Sequence, residues 1–100
     1  MAVKLLMTWD IRSGREQDYF EFVVREFIPG IQKMGLDPSD AWFTMYGNSP
    51  QILTGAVTEN QTSLEMALQS DEWRSLTNRL DDYVENFVYK VVPARTGFQL

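Results

Sequence analysis

The sequence predicts an α+β domain in which two helices lie on one face of a four-stranded antiparallel sheet. Three observations carry that expectation. Segments of period two alternate with segments of three- and four-residue spacing, in the order strand, helix, strand, strand, helix, strand. The two middle strands are separated by turn chemistry, Asn48-Ser-Pro50, with no helix between them. A chain of 100 residues that is 44% hydrophobic and 23% charged has the make-up of one ordinary globular domain, residues 1–100. A chain of this size buries roughly two-thirds of its unfolded surface, enough for a real core.

From Val3 to Ile11 the odd positions are Val3, Leu5, Met7, Trp9 and Ile11, and the even ones are Lys4, Leu6, Thr8 and Asp10. One fully apolar face at period two is a strand. Ser13 stands three residues before Glu16, the capping-box spacing that opens a helix. Phe20, Val23, Val24, Phe27, Ile31 and Met34 then form a helical stripe. Pro29-Gly30 interrupts it and predicts a kink or restart. Gly35 stops the helix, and Asp37-Pro-Ser-Asp40 reads as a loop.

The aromatic-rich segment Ala41–Gly47 is the second strand, Gly47–Pro50 a hairpin turn and Ile52–Glu59 the third strand. Thr62 and Glu65 have capping-box spacing and open a short helix. Ser70-Asp-Glu-Trp73 starts the main second helix, with acids in its first turn where the helix dipole favours them. Its stripe is Trp73, Leu76, Leu80, Tyr83, Val84 and Phe87. Val88–Val92 is the fourth strand, ended by Pro93, and a tail carries Phe98 and Leu100.

The resulting order, β-α-β-β-α-β, is the split unit of the ferredoxin-like fold. Its second sheet face has no cover from its own chain, and strand patterning gives that face a mixed character rather than a charged one. Lys4, Leu6, Thr8 and Asp10 lie there. The second strand offers either Trp42, Thr44 and Tyr46 or Ala41, Phe43 and Met45, and the third either Leu53, Gly55 and Val57 or Ile52, Thr54, Ala56 and Thr58. A partly apolar face of this kind predicts an interface, and a twofold homodimer with sheets face to face is the simplest solution.

Composition closes several chemistries. With no cysteine and no histidine, disulfides, thiolate metal sites, cysteine nucleophiles, serine–histidine triads and histidine acid–base catalysis are excluded within one chain. Nine Lys plus Arg against fourteen Asp plus Glu give a net charge of −5, which disfavours nucleic acid as a partner. No apolar run exceeds three residues, so no membrane span is expected, and the start lacks a secretory signal. A cytoplasmic protein without cofactor or metal is the expectation. Asp81, Asp82 and Glu85 read as a solvated helix face rather than a cation site, and Asp10 as a strand-end charge rather than a general base.

In its element order, in Phe27-Ile-Pro29, in Asp40-Ala-Trp42 and in Ser70-Asp-Glu-Trp73, the chain resembles the dimeric α+β barrel superfamily. This group includes antibiotic-biosynthesis-type monooxygenases, NIPSNAP-like proteins and stress-responsive barrel proteins. The resemblance covers nearly the whole chain and implies a homodimer with a pocket between each sheet and its helices. Haem-degrading and cofactor-free oxygenases of the group use an Asn on the first strand, a Trp in the second helix and a His farther along it. Trp73 matches the tryptophan. Tyr83 stands where the histidine would be, and Thr8 and Trp9 where the asparagine would be.

Trp9, Trp42, Tyr46, Trp73 and Tyr83 are the candidate ligand-binding residues, because such side chains offer flat apolar surfaces with polar tips. Three functional readings follow. In the first, a dimeric barrel binds a small hydrophobic or aromatic molecule and acts on it as a cofactor-free oxygenase or isomerase. In the alternative, a non-catalytic stress-related or interaction protein uses these aromatics only for core and dimer interface. An amino-acid-binding regulatory domain is a third use of ferredoxin-like dimers, weakened here by the absence of room for an attached DNA-binding domain.

Overall fold

Val3, Leu5, Met7, Trp9 and Ile11 are buried and the residues between them are half-exposed, so the alternation of the first segment is realised as β1 (Val3–Ile11). The computed structural model describes residues 1–46 and 49–94, and at Asp40, residues 42–46 and residues 49–50 it describes the backbone. After β1 come α1 (Glu16–Phe22), a π-helical turn (Val23–Phe27) and α2 (Ile28–Lys33) as one helical run. Then follow β2 (Asp37–Tyr46), β3 (Ser49–Thr58), α3 (Gln61–Leu68), α4 (Asp71–Leu80) and β4 (Val84–Pro93). The strands form one sheet in the order β2-β3-β1-β4, antiparallel throughout. This is the ferredoxin-like α+β arrangement, with the helices on one face.

The core lies between that face and the helices. It joins the odd residues of β1 and Ile52 and Ala56 of β3 to Tyr19, Phe27 and Ile31 from the first helical run and Leu64, Trp73, Leu76 and Leu80 from α3 and α4. Each large side chain fully buried here contributes about 1.5–3 kcal/mol. Gly30 belongs to this packing: a Cβ there would come within 2.9 Å of Leu76 Cδ2, so the glycine lets α2 approach α4 closely.

The first helical run departs from its expected form in an instructive way. Helix α1 begins at Glu16, with Arg15 at the cap and no side-chain cap, while Gly14 turns the chain at φ +83°. The Ser13–Glu16 capping box is therefore not made. The interruption lies just upstream of Pro29. A proline ring crowds the carbonyl four residues back, here that of Arg25, and cannot donate to it. The π turn widens the helix there, and the Ile28 N–H bonds to the Val23 carbonyl five residues back. The extra residue shifts the buried stripe to Tyr19, Phe22, Phe27 and Ile31, leaving Phe20 and Val24 exposed.

Strand β2 starts at Asp37, so Asp37-Pro-Ser-Asp40 is strand rather than loop. Pairing with β3 satisfies its backbone, the register shifts between Pro38 and Asp40, and Pro38 is tolerated because β2 is an edge strand. Helix α3 is capped by Asn60, whose Oδ1 accepts from the Ser63 N–H at 2.8 Å, two residues earlier than the expected cap at Thr62. Ser70 caps α4 as expected, accepting from the Trp73 N–H at 3.2 Å.

The largest revision falls between α4 and β4. The helix stops at Leu80, and Tyr83, Val84 and Phe87 do not extend its stripe. Thr8 pairs with Val88 and Asp10 with Glu85, so Trp9 faces two residues of β4, a bulge centred on Asn86 at φ +60°. The extra residue puts Val84 and Phe87 on the same, helix-facing side three positions apart. A bulged strand thus imitates helical spacing. Gly47 and Asn48 of the hairpin turn, and Phe98 and Leu100 of the tail, lie outside the described residues.

Candidate functional site

Where the first helical run crosses β2 and β3, the two layers do not close completely. A cavity of about 400 Å³ remains. Its helical wall is Tyr19 and Phe20 of α1, Val23 and Phe27 of the π turn, and Ile28 and Ile31 of α2; its sheet wall includes Trp9, Pro38, Ala41 and Ile52. π turns often accompany functional sites, and this one stands on the cavity wall.

Two of the remaining lining residues, Ser39 and Thr54, carry hydroxyls, and both are already engaged in interactions. Among the described residues, the cavity wall has no charged side chain, and Tyr19 is its one titratable group.

The polar centre of this wall is a buried pair. The Trp9 indole N–H donates to Tyr19 Oη at 2.9 Å, with both residues only 2% exposed. Trp9 is held on three sides: Tyr19 and Phe27 meet its ring edge to face, and Phe87 stacks on it at 5.7 Å with planes 8° apart. That stack exists because the bulge at Asn86 turns Phe87 inward. Asn86 also anchors the bulge, donating from Nδ2 to Asp10 Oδ2 at 2.9 Å. Burial pushes the Tyr19 phenol up to about 12, against the smaller opposing effect of the Trp9 hydrogen bond. Tyr19 is therefore a neutral hydroxyl at physiological pH, able to donate a hydrogen bond and unable to act as a base.

Of the residues singled out in the sequence, Trp9 lines this cavity. Trp73 is buried elsewhere, between α4 and β4, against Phe87 and Tyr89. Tyr83 packs on Phe22 at 5.1 Å, with the Arg15 guanidinium 4.8 Å over its ring. The backbone pairs Trp42 with Leu53 and Tyr46 with Ser49, and the side chains of Trp42 and Tyr46 lie outside the described residues.

Tyr19, Phe20 and Phe27, which also line the cavity, are not among the ligand-binding residues expected from the sequence. Their signal was present, since an aromatic every few residues on one helix facing Trp9 marks an aromatic-walled layer, but the shift made by the π turn hid which of them faced inward. Among the described residues no group of acidic side chains is placed to hold a metal ion, and no helix is long and apolar enough to cross a membrane.

The chain matches no protein-family model and no curated protein. Solved structures do resemble it. A NIPSNAP family protein from Agrobacterium tumefaciens aligns with a TM-score of 0.73 at 16% identity, over 96% of this chain and 95% of that one. A protein from Nitrosomonas europaea assigned provisionally to the antibiotic biosynthesis monooxygenases aligns at 0.67 and 5% identity, over 95% and 91%. A dimeric protein of unknown function with a ferredoxin-like fold, from Bacteroides fragilis, aligns at 0.63 and 13% identity, over 93% and 96%. The resemblance expected from the sequence therefore holds at the level of fold. Identities this low carry the fold and nothing further, because one fold hosts many activities.

Proposed function

We propose that this protein binds a small, uncharged, largely apolar or aromatic molecule in the cavity between the first helical run and β2–β3. One observation carries the reading: a volume of about 400 Å³, walled mainly by aromatic and aliphatic side chains among the described residues, with the buried Trp9–Tyr19 pair among them. Small-molecule sites have this make-up, a mainly apolar concavity with a few fixed polar groups. An oxygenase or isomerase step at this site would draw on the reactivity of the substrate itself, with Tyr19 supplying a hydrogen bond or proton and no side-chain base among the described residues of the wall.

The protein does this as a homodimer. Leu6, Leu53, Val57, Val88 and Val92 share the sheet face opposite the described helices, and Val88 is 62% exposed. An apolar stripe on an open face supports sheet-to-sheet pairing. The reading of Trp73 and Tyr83 as core is favoured by their packing, and the ligand reading rests on Trp9 and its neighbours instead.

Native mass spectrometry on protein purified without denaturation tests both parts. A dimer carrying a reproducible added mass is the expected result. A monomer removes the sheet-pairing argument. A bare dimer that also fails to take up 2-ethylnaphthalene, a neutral aromatic probe, removes the ligand site.

A further inference from the structure

The Trp9–Tyr19 pair has a direction. Trp9 has only a donor to give, and it spends it on Tyr19 Oη at 2.9 Å. The phenol thus accepts one hydrogen bond, while its own proton has no acceptor among the described residues. A hydroxyl on a side chain only 2% exposed, with a donor unspent among the described residues, is uncommon, since buried polar groups are normally paired on both counts. Tyr19 also forms part of the cavity wall.

The rest of the wall restricts what could meet that donor. With no charged side chain among its described residues, the wall leaves a carboxylate, a phosphate or an ammonium group to lose its hydration without compensation. Among the described residues, the other side-chain oxygens that a ligand hydroxyl or amide N–H would meet on the wall are those of Ser39 and Thr54, which already have interactions of their own. A neutral acceptor oxygen meets none of these penalties.

We infer that the cavity selects uncharged molecules with a flat apolar body and one acceptor oxygen, a ketone or aldehyde carbonyl being the simplest, and that Tyr19 Oη–H donates to that oxygen. This rests on the reading of the cavity as a ligand site. Trp9 acts as a positioning residue, holding Tyr19 through its indole N–H while three rings hold Trp9. The donor is thus fixed before the ligand arrives, which limits the ordering cost of binding.

The test compares three probes of one shape on the full chain by titration calorimetry: 2-acetylnaphthalene, 2-ethylnaphthalene and 2-naphthoate. The ketone should bind roughly three- to tenfold tighter than the hydrocarbon, the worth of one neutral hydrogen bond, and the carboxylate weakest. In Tyr19→Phe the preference for the ketone should vanish while 2-ethylnaphthalene still binds, which also shows that the variant is folded. Infrared difference spectra on the unaltered protein give a second readout: the bound carbonyl stretch should fall to lower frequency than in hydrocarbon solvent.

Equal binding of ketone and hydrocarbon, a carbonyl stretch unshifted from hydrocarbon solvent, a preference that survives Tyr19→Phe, or tightest binding of 2-naphthoate would each overturn the inference while leaving the cavity a ligand site. Failure of all three probes to bind would overturn the ligand site itself.

Discussion

Over β2 and β3 the first helical run leaves about 400 Å³ unfilled, whereas between α4 and β4 the rings of Trp73, Phe87 and Tyr89 meet one another, with centroids 6.4 Å apart for Trp73–Phe87 and 6.2 Å for Phe87–Tyr89. Both regions are aromatic, and in each a backbone irregularity stands beside the rings. On the open side it is the π turn at Val23–Phe27, which passes the obstacle of Pro29 and stands on the cavity wall. On the closed side it is the bulge at Asn86, which rotates Phe87 into contact with Trp9 and Trp73. Residue type alone therefore does not separate a ligand cavity from a core. What separates them is where an added backbone residue turns the side chains that follow it.

Four measurements would break or sharpen this contrast. The largest effect belongs to the closed side. Trp73→Ala should cost about 3–5 kcal/mol in denaturant unfolding, the usual cost of truncating a buried ring, while leaving the binding of 2-ethylnaphthalene unchanged in protein that remains folded. Loss of binding at unchanged stability would move the site to the α4 side and erase the distinction.

Next comes the pH dependence of Tyr19. Its protonated form is favoured by folding, with a phenol at about 12 in the folded protein against 10.0 for the free group. The stability it contributes is fully present below pH 10 and is lost as the pH rises through that interval, on the order of 2 kcal/mol. Tyr19→Phe should be less stable than the parent at neutral pH, because the Trp9 N–H loses its acceptor, and the gap between the two should narrow across the same interval. Ultraviolet titration should show one phenolate that forms near the top of it and is absent from the variant.

The bulge gives a smaller effect of defined sign. Asn86→Ala, at φ +60°, should lose about 1–2 kcal/mol, and Asn86→Gly should be close to neutral, since glycine adopts that conformation freely and only the hydrogen bond to Asp10 is lost. Equal losses in both would assign the effect to the Asp10 contact rather than to the backbone. The smallest change in stability is expected on the open side. Ala41→Phe should alter unfolding by no more than about 0.5 kcal/mol while weakening 2-ethylnaphthalene binding about tenfold or more, because space there is being filled rather than packing disturbed.

Much of the architecture was legible in the residues. β1 could be read residue by residue, because period-two alternation translates directly into burial when one face is covered. Ser70 was legible as a cap because its hydrogen bond spans only three residues. The boundaries were harder where a partner strand supplied the missing stabilisation, as at Asp37–Asp40, whose turn-forming composition yields to pairing with β3. The end of α4 differs from its expected place for a related reason: Tyr83, Val84 and Phe87 follow the preceding stripe in spacing, and only pairing with β1 reveals that a bulge, not a helix, produces it. Of the candidate site, Trp9 was visible as an aromatic on an inward strand position, whereas its partner Tyr19 was hidden beside Phe20, the stripe residue that turns out to be exposed.

By itself the sequence determined the order of the elements, the inward face of β1, the exclusion of histidine and cysteine chemistry, and the interruption at Pro29, because each depends on local sterics, on spacing or on composition. Tertiary structure alone decided that Tyr19 meets Trp9, that Phe87 stacks on the indole, and that a cavity stays open beside them. Those outcomes depend on which side chains two backbone irregularities turn inward, and a one-residue change in register reverses every face that follows it.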